Sequence, residues 1–76
     1  MTKKEIGLKI RERRKIMSIS QSQLANYTGL SVVTLSQIES GKANPSFDTL
    51  NDIFHFLNLE ILVAVKKPVN EITGNI

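Results

Sequence analysis

Ser31, Val32, Val33, Ser36 and Gln37 lie within one short stretch and offer chemistry of a single kind. They can read, without covalent bonds, a surface that presents hydrogen-bonding edges and methyl groups side by side. The Gln37 amide both donates and accepts. That matches the paired donor and acceptor on an adenine edge, and it also reaches guanine. Two adjacent valines at the start of a helix suit thymine methyl groups in a major groove. They would equally suit packing against a neighbouring helix, and the sequence leaves both readings open. Covalent chemistry has no comparable cluster. His55, the only histidine, stands three positions from Asp52 with no nucleophile motif around it. The chain has no cysteine, so it offers no thiolate metal site, and a lone histidine cannot hold a metal. The expectation is a non-enzyme with no cofactor. Tyr27 is the only tyrosine and offers no platform for stacking RNA bases; it is expected to pack in the core.

To act together, these five residues must share the outward face of one helix held in place by another. Ser20 is a good N-cap for a helix over 21–28, and Gly29 follows as its left-handed end. Ser31 caps a third helix over 32–40, ended by Gly41. Leu24, Leu30, Leu35 and Ile38 then face inward, and Ala25 is the small residue where the two helices cross. This is a helix-turn-helix unit, whose second helix is held in a DNA groove. In that geometry Gln21, at the N-terminal end of the supporting helix, abuts a backbone phosphate, where amide donors and the helix dipole favour an anion. Gln23, Thr34, Lys42 and Asn44 are further phosphate candidates.

The chain of 76 residues carries a net charge of +3, unevenly spread. Residues 1–19 hold seven basic and two acidic side chains, so the remainder is net negative. A basic first helix points to a polyanion partner, or to a solvated lysine-rich face. That helix starts at the capping-box pattern Thr2-Lys3-Lys4-Glu5 and runs to about Met17, with Ile6, Ile10 and Met17 as an apolar stripe. Gly7 inside it costs roughly 1 kcal/mol against alanine and either permits close packing or is merely tolerated. Asn44, before Pro45, stays extended. Ser46 caps a fourth helix over 47–57, with Leu50, Ile53, Phe54 and Leu57 inward and Asn58 as a left-handed stop. There is no signal-peptide pattern and no membrane-length apolar run, so a soluble, cytoplasmic chain is expected.

After Asn58 the pattern changes to period two. Leu59, Ile61, Val63 and Val65 alternate with Glu60, Leu62, Ala64 and Lys66, which predicts one strand over 59–66. A lone strand has unpaired backbone groups, and a second copy could satisfy them in an antiparallel, two-fold pair. Leu59, Ile61, Leu62, Val63 and Val65 would build that homodimer contact. The other reading is an irregular apolar segment folded back on its own monomer. Residues 1–67 are thus expected to form the domain, and 68–76 a flexible tail. In a dimer the recognition helices would enter successive major grooves about 34 Å apart, so the expected operator is near-palindromic.

Residues 6–57 resemble the helix-turn-helix domain of the Xre/Cro and phage-repressor family. The resemblance rests on Ile10-Arg11, Arg14, Ser20-Gln21, Leu24-Ala25, Gly29, Leu35, Ile38-Glu39, Gly41-Lys42, Asn44-Pro45-Ser46 and Leu50. It implies a mainly α domain of four to five helices that binds operator DNA as a dimer. It also implies a partly buried ion pair between Arg14 and Glu39. The chain departs from the family at Arg13, where leucine is common, and in replacing the fifth helix by the 59–66 strand. That layout is similar to HipB-type antitoxins, which implies autorepression and a HipA-like serine/threonine kinase toxin as partner. The alternative is a stand-alone Xre/Cro-type regulator.

Overall fold

Among the described residues four helices build the fold: α1 (Lys3–Ile16), α2 (Gln21–Thr28), α3 (Val32–Glu39) and α4 (Phe47–Phe56). The structure, a computed structural model, describes residues 1–65. Each helix starts on a hydroxyl. Thr2, Ser20, Ser31 and Ser46 have extended backbones, and each accepts the N–H three residues on. Thr2 and Ser20 also donate their own N–H groups, to Glu5 Oε1 at 2.7 Å and Gln23 Oε1 at 2.8 Å. The Thr2 backbone N–H, and after it the Thr2 hydroxyl, hold the Glu5 carboxyl below its ordinary range. With its folded value depressed, that exposed cap is complete above the range and weakens as pH falls through it. α2 stops at Gly29, whose φ of +74° is the left-handed geometry expected there, and Asn58 (φ +56°) does the same after α4.

Ile10, Leu24, Ala25, Leu35, Ile38, Ile53 and Leu57 form the buried core. Ile6, Met17, Leu30, Leu50 and Phe54 pack around it. α1 lies on α3, and α2 bridges α3 and α4. The α1–α3 contact is set by the absence of a side chain. A Cβ at Gly7 would sit 2.5 Å from the Glu39 carbonyl oxygen. Close approach, not tolerance, therefore explains that glycine.

The same two helices are joined by a buried fork. Arg14 Nε donates to Glu39 Oε2 at 2.7 Å, and Arg14 Nη2 donates to Glu39 Oε1 at 3.0 Å. Arg14 Nη1 donates to the Ile19 carbonyl at 2.9 Å, in the link between α1 and α2. Arg13 donates its Nε to the Leu57 carbonyl at 2.8 Å and so ties α1 to the end of α4.

Two expectations are corrected. The predicted strand is absent: among the described residues every element is a helix, and 59–65 has no regular structure. A strand exists only as a pairing, and the described chain offers no second extended segment to pair with. The alternation also fails on burial. Leu59 and Ile61 are half-buried, but Val63 and Val65, placed inward by the period-two pattern, are 96% and 94% exposed. Leu62 is exposed as well. The segment folds back instead: Leu59 N–H donates to the Phe54 carbonyl at 2.8 Å, and Leu59 packs on the core. With Met1, Ile6, Phe47, Leu50, Phe54 and Ile61 it lines an apolar groove of about 350 Å³. Residue 66 and the tail 68–76 lie outside the described residues. Tyr27 is the second correction. It is 48% exposed and stacks on Phe56, with ring centroids 5.4 Å apart. Position 27, near the end of a two-turn helix, lies outside the Leu24–Ala25 face that meets the core.

Gly7→Ala is expected to lose about 1–3 kcal/mol despite alanine's better helix propensity, because the added Cβ meets backbone. A thermal melt should show it as a fall of roughly 4–8 °C per kcal/mol for a domain of this size. Glu39→Ala leaves a buried guanidinium without its carboxylate and should cost about 3–5 kcal/mol in urea unfolding. A loss below about 1 kcal/mol would be that of a surface pair.

Candidate nucleic-acid interface

The turn between α2 and α3 is made by Gly29, Leu30 and Ser31. Leu30 N–H donates to the Ala25 carbonyl at 2.9 Å, and the Leu30 side chain packs on the core. Leu35 and Ile38 anchor α3 from beneath. The 3.6-residue period then leaves Val32, Val33, Ser36 and Gln37 outward, and all four are exposed. Val33 is 67% exposed and Val32 42%. Neither is buried against a neighbouring helix. Ser31 is differently employed. Its hydroxyl accepts from the Thr34 N–H at 3.0 Å and donates to Thr34 Oγ1 at 2.9 Å, so the Ser31 hydroxyl is occupied in capping α3.

Beside this face a cleft of about 520 Å³ opens between α1, the start of α2 and α3. Arg11 and Lys15 line it from α1, Gln21 from α2 with its N-cap Ser20, and Ser36 from α3 with its C-cap Ser40. The Arg14–Glu39 fork lies against it. Because that pair is internally neutral, the free charges of the cleft are those of Arg11 and Lys15. The first backbone N–H groups of α2 have no acceptor within their own helix and add to the positive end. Gln21 Nε2 donates to Glu39 Oε1 at 3.1 Å. Gln23 lies in the same turn, with its Oε1 held by the Ser20 N–H.

The remaining phosphate candidates are not gathered here. Thr34 is half-buried, its hydroxyl accepting from Ser31. Lys42 and Asn44 are exposed on the loop after α3, and Asn44 lines a small hollow with Lys3, Pro45 and Leu50. Conversely, Arg11 and Lys15 belong to the cleft but were not singled out from the sequence. Their signal was present: two basic residues four apart on the helix that carries most of the chain's basic side chains. The Gln21–Glu39 bond had no local signal, since it spans two helices.

Residues 10–63 match the model of the helix-turn-helix family. A 60-residue stretch is 37% identical to the ImmF control region 10 kDa protein of Bacillus phage phi105, covering 79% of this chain and 67% of that protein. The chain is also 37% identical over 62 residues to y4dL, an uncharacterized HTH-type transcriptional regulator of Sinorhizobium fredii. That match covers 82% of this chain but only 32% of the longer relative. Among solved structures, the restriction-modification controller protein C.AhdI from Aeromonas hydrophila superposes with a TM-score of 0.72 at 28% identity, over 76% of this chain and 88% of that one. Sequence relatives, the shared fold and the α2–turn–α3 geometry agree, and this chain belongs to the helix-turn-helix family.

Proposed function

We propose that the protein is a sequence-specific, DNA-binding transcription regulator. The observation that carries this reading is the adjacency of two surfaces. One is the exposed, methyl- and amide-bearing face of α3. The other is the cleft where Arg11, Lys15 and the start of α2 present positive charge. The first suits base edges in a major groove, and the second a backbone phosphate of the same duplex. The family, and relatives named as a control-region protein, a transcriptional regulator and a controller protein, support the same class. Val32 and Val33 would meet thymine methyls, and Ser36 and Gln37 base edges. Gln21 would approach a phosphate in the cleft, Gln23 one outside it from the same turn of α2, and Lys42 and Asn44 would do so from the loop beyond α3. Ser31 and Thr34 would act mainly by holding the first turn of α3. No catalytic role is assigned. His55 is exposed and meets Phe56 edge-on at 5.7 Å.

The protein would act as a homodimer on a near-palindromic operator, and its contact would not be a paired strand. Leu62 lines the rim of the apolar groove of α1 and α4, Val63 and Val65 are exposed in the segment that continues from it, and a two-fold axis there would let each copy cover the other's groove. The HipB-type layout rested on the 59–66 strand. Without it, nothing favours a kinase toxin as partner, and the stand-alone regulator is the better reading. Among the described residues, no helix is long and apolar enough to cross a membrane.

Two variants test this reading on an operator selected from random duplexes. Gln37→Ala should weaken operator binding about 10- to 100-fold while binding to unrelated DNA and the salt slope stay unchanged. Arg11→Ala should instead weaken both kinds of duplex and make the salt slope shallower by about one unit. Equal loss on both duplexes with Gln37→Ala would remove that residue from base reading. For the dimer, sedimentation at micromolar concentration should show Val63→Asp shifting the protein toward monomer. A parent protein that already sediments as a monomer would end that part of the proposal.

A further inference from the structure

Gln21 has a partner that contact with a phosphate does not by itself require. Its Nε2 donates to Glu39 Oε1 at 3.1 Å, and the same oxygen accepts from Arg14 Nη2 at 3.0 Å. The other Glu39 oxygen takes Arg14 Nε at 2.7 Å. The Glu39 side chain is 3% exposed. It cannot swing into solvent without abandoning a buried guanidinium. An ionised carboxylate only accepts, so it also selects the orientation of the glutamine amide. The NH₂ group must turn toward Glu39, with one N–H engaged and the other left for a second acceptor. Gln21 is half-buried and lines the cleft together with Ser20, Ser36 of α3 and Ser40, the C-cap of α3. A glutamine free at the first position of a helix would sample many rotamers and lose that freedom on binding. Here the ordering has already occurred on folding.

We infer that Glu39 is a positioning residue for DNA binding: it holds the Gln21 amide in the orientation that offers one donor to a phosphate. The ion pair that fixes α1 to α3 thereby also sets the donor at the start of α2. This rests on the reading of the cleft as a phosphate seat, and the test separates the two.

The first measurement needs no DNA. ¹⁵N relaxation of the side-chain amides in the full chain should show the Gln21 NH₂ restricted and that of the exposed Gln37 mobile on the picosecond-to-nanosecond scale. The second is affinity for a duplex of unrelated sequence. Gln21→Leu, which keeps the aliphatic stem and removes the amide, should weaken it about three- to tenfold. Glu39→Gln should weaken it by a similar factor, and the two changes together by no more than either alone. If Glu39→Gln does not fold, the relaxation of Gln21 and the Gln21→Leu affinity decide the matter. A Gln21 amide as mobile as that of Gln37 overturns the inference, whatever happens on DNA. Additive losses in the double variant overturn it too. Suppose the Gln21 amide is restricted but Gln21→Leu leaves affinity unchanged. Then weakened binding by Arg11→Ala keeps the cleft as a phosphate seat and removes only Gln21 and Glu39 from it. Unchanged binding by Arg11→Ala overturns the seat itself.

Discussion

A guanidinium and a carboxylate taken out of water must satisfy one another, and the placement of three helices follows from how Arg14 and Glu39 do so. The fork has one good geometry. It requires the last turn of α1 and the last turn of α3 to meet side by side, and Gly7 lets the two backbones come close enough. The third donor of Arg14 holds Ile19, which directs the chain into α2. A hydrophobic core alone would permit α3 to slide or rotate by a fraction of a turn, because Leu35 and Ile38 are held by non-directional forces. The ion pair removes that freedom. For a helix whose outward side chains must meet base edges, rotational certainty matters as much as stability.

The molecule divides its surface by chemistry. Positive charge, hydroxyls and amides gather where α1, α2 and α3 meet, and the exposed valines of α3 lie beside them. The apolar groove is framed by the start of α1, by α4 and by the segment after Asn58. α4 serves both the core and this groove: Ile53 is fully buried, while Phe47 is 64% exposed. Its apolar stripe is thus wider than the core alone covers, while its opposite side carries Asp48, Asn51, Asp52 and His55.

What could be read from the sequence was local. A hydroxyl before each helix, a glycine after α2 and the inward positions of Leu24, Leu35, Ile38 and Ile53 are all signals within a few residues. Each reappears in the structure. Long-range features were read poorly. The buried pairing of Arg14 with Glu39 came only from a family resemblance, because a charged residue on a helix looks the same in sequence whether it is solvated or forked. Gln21 was marked for its place at a helix start, but its bond to Glu39 needs two helices to close first. The 59–66 strand failed for a related reason. Alternation records that one side of a segment is apolar, not that a partner exists to pair with it. Leu59 and Ile61 meet the helices, and beyond them the described chain offers Val63 and Val65 no surface to cover. Tyr27 is expected in the core, but its position in the helix turn puts it outside.

Both arginines that anchor α1 find their acceptors far ahead in the chain, Arg14 at a separation of 25 residues and Arg13 at 44. The long-range acceptors of α1 therefore all lie later in the chain than the helix itself. Until Leu57 has emerged, the most basic helix stands without the carbonyl that fixes it, and before Glu39 emerges it lacks its carboxylate as well. No smaller fragment from the N-terminus holds a complete set of partners. α1 can lie on α3 as soon as Glu39 is in place, but the Arg13 bond that ties it to the end of α4 closes only when α4 is finished.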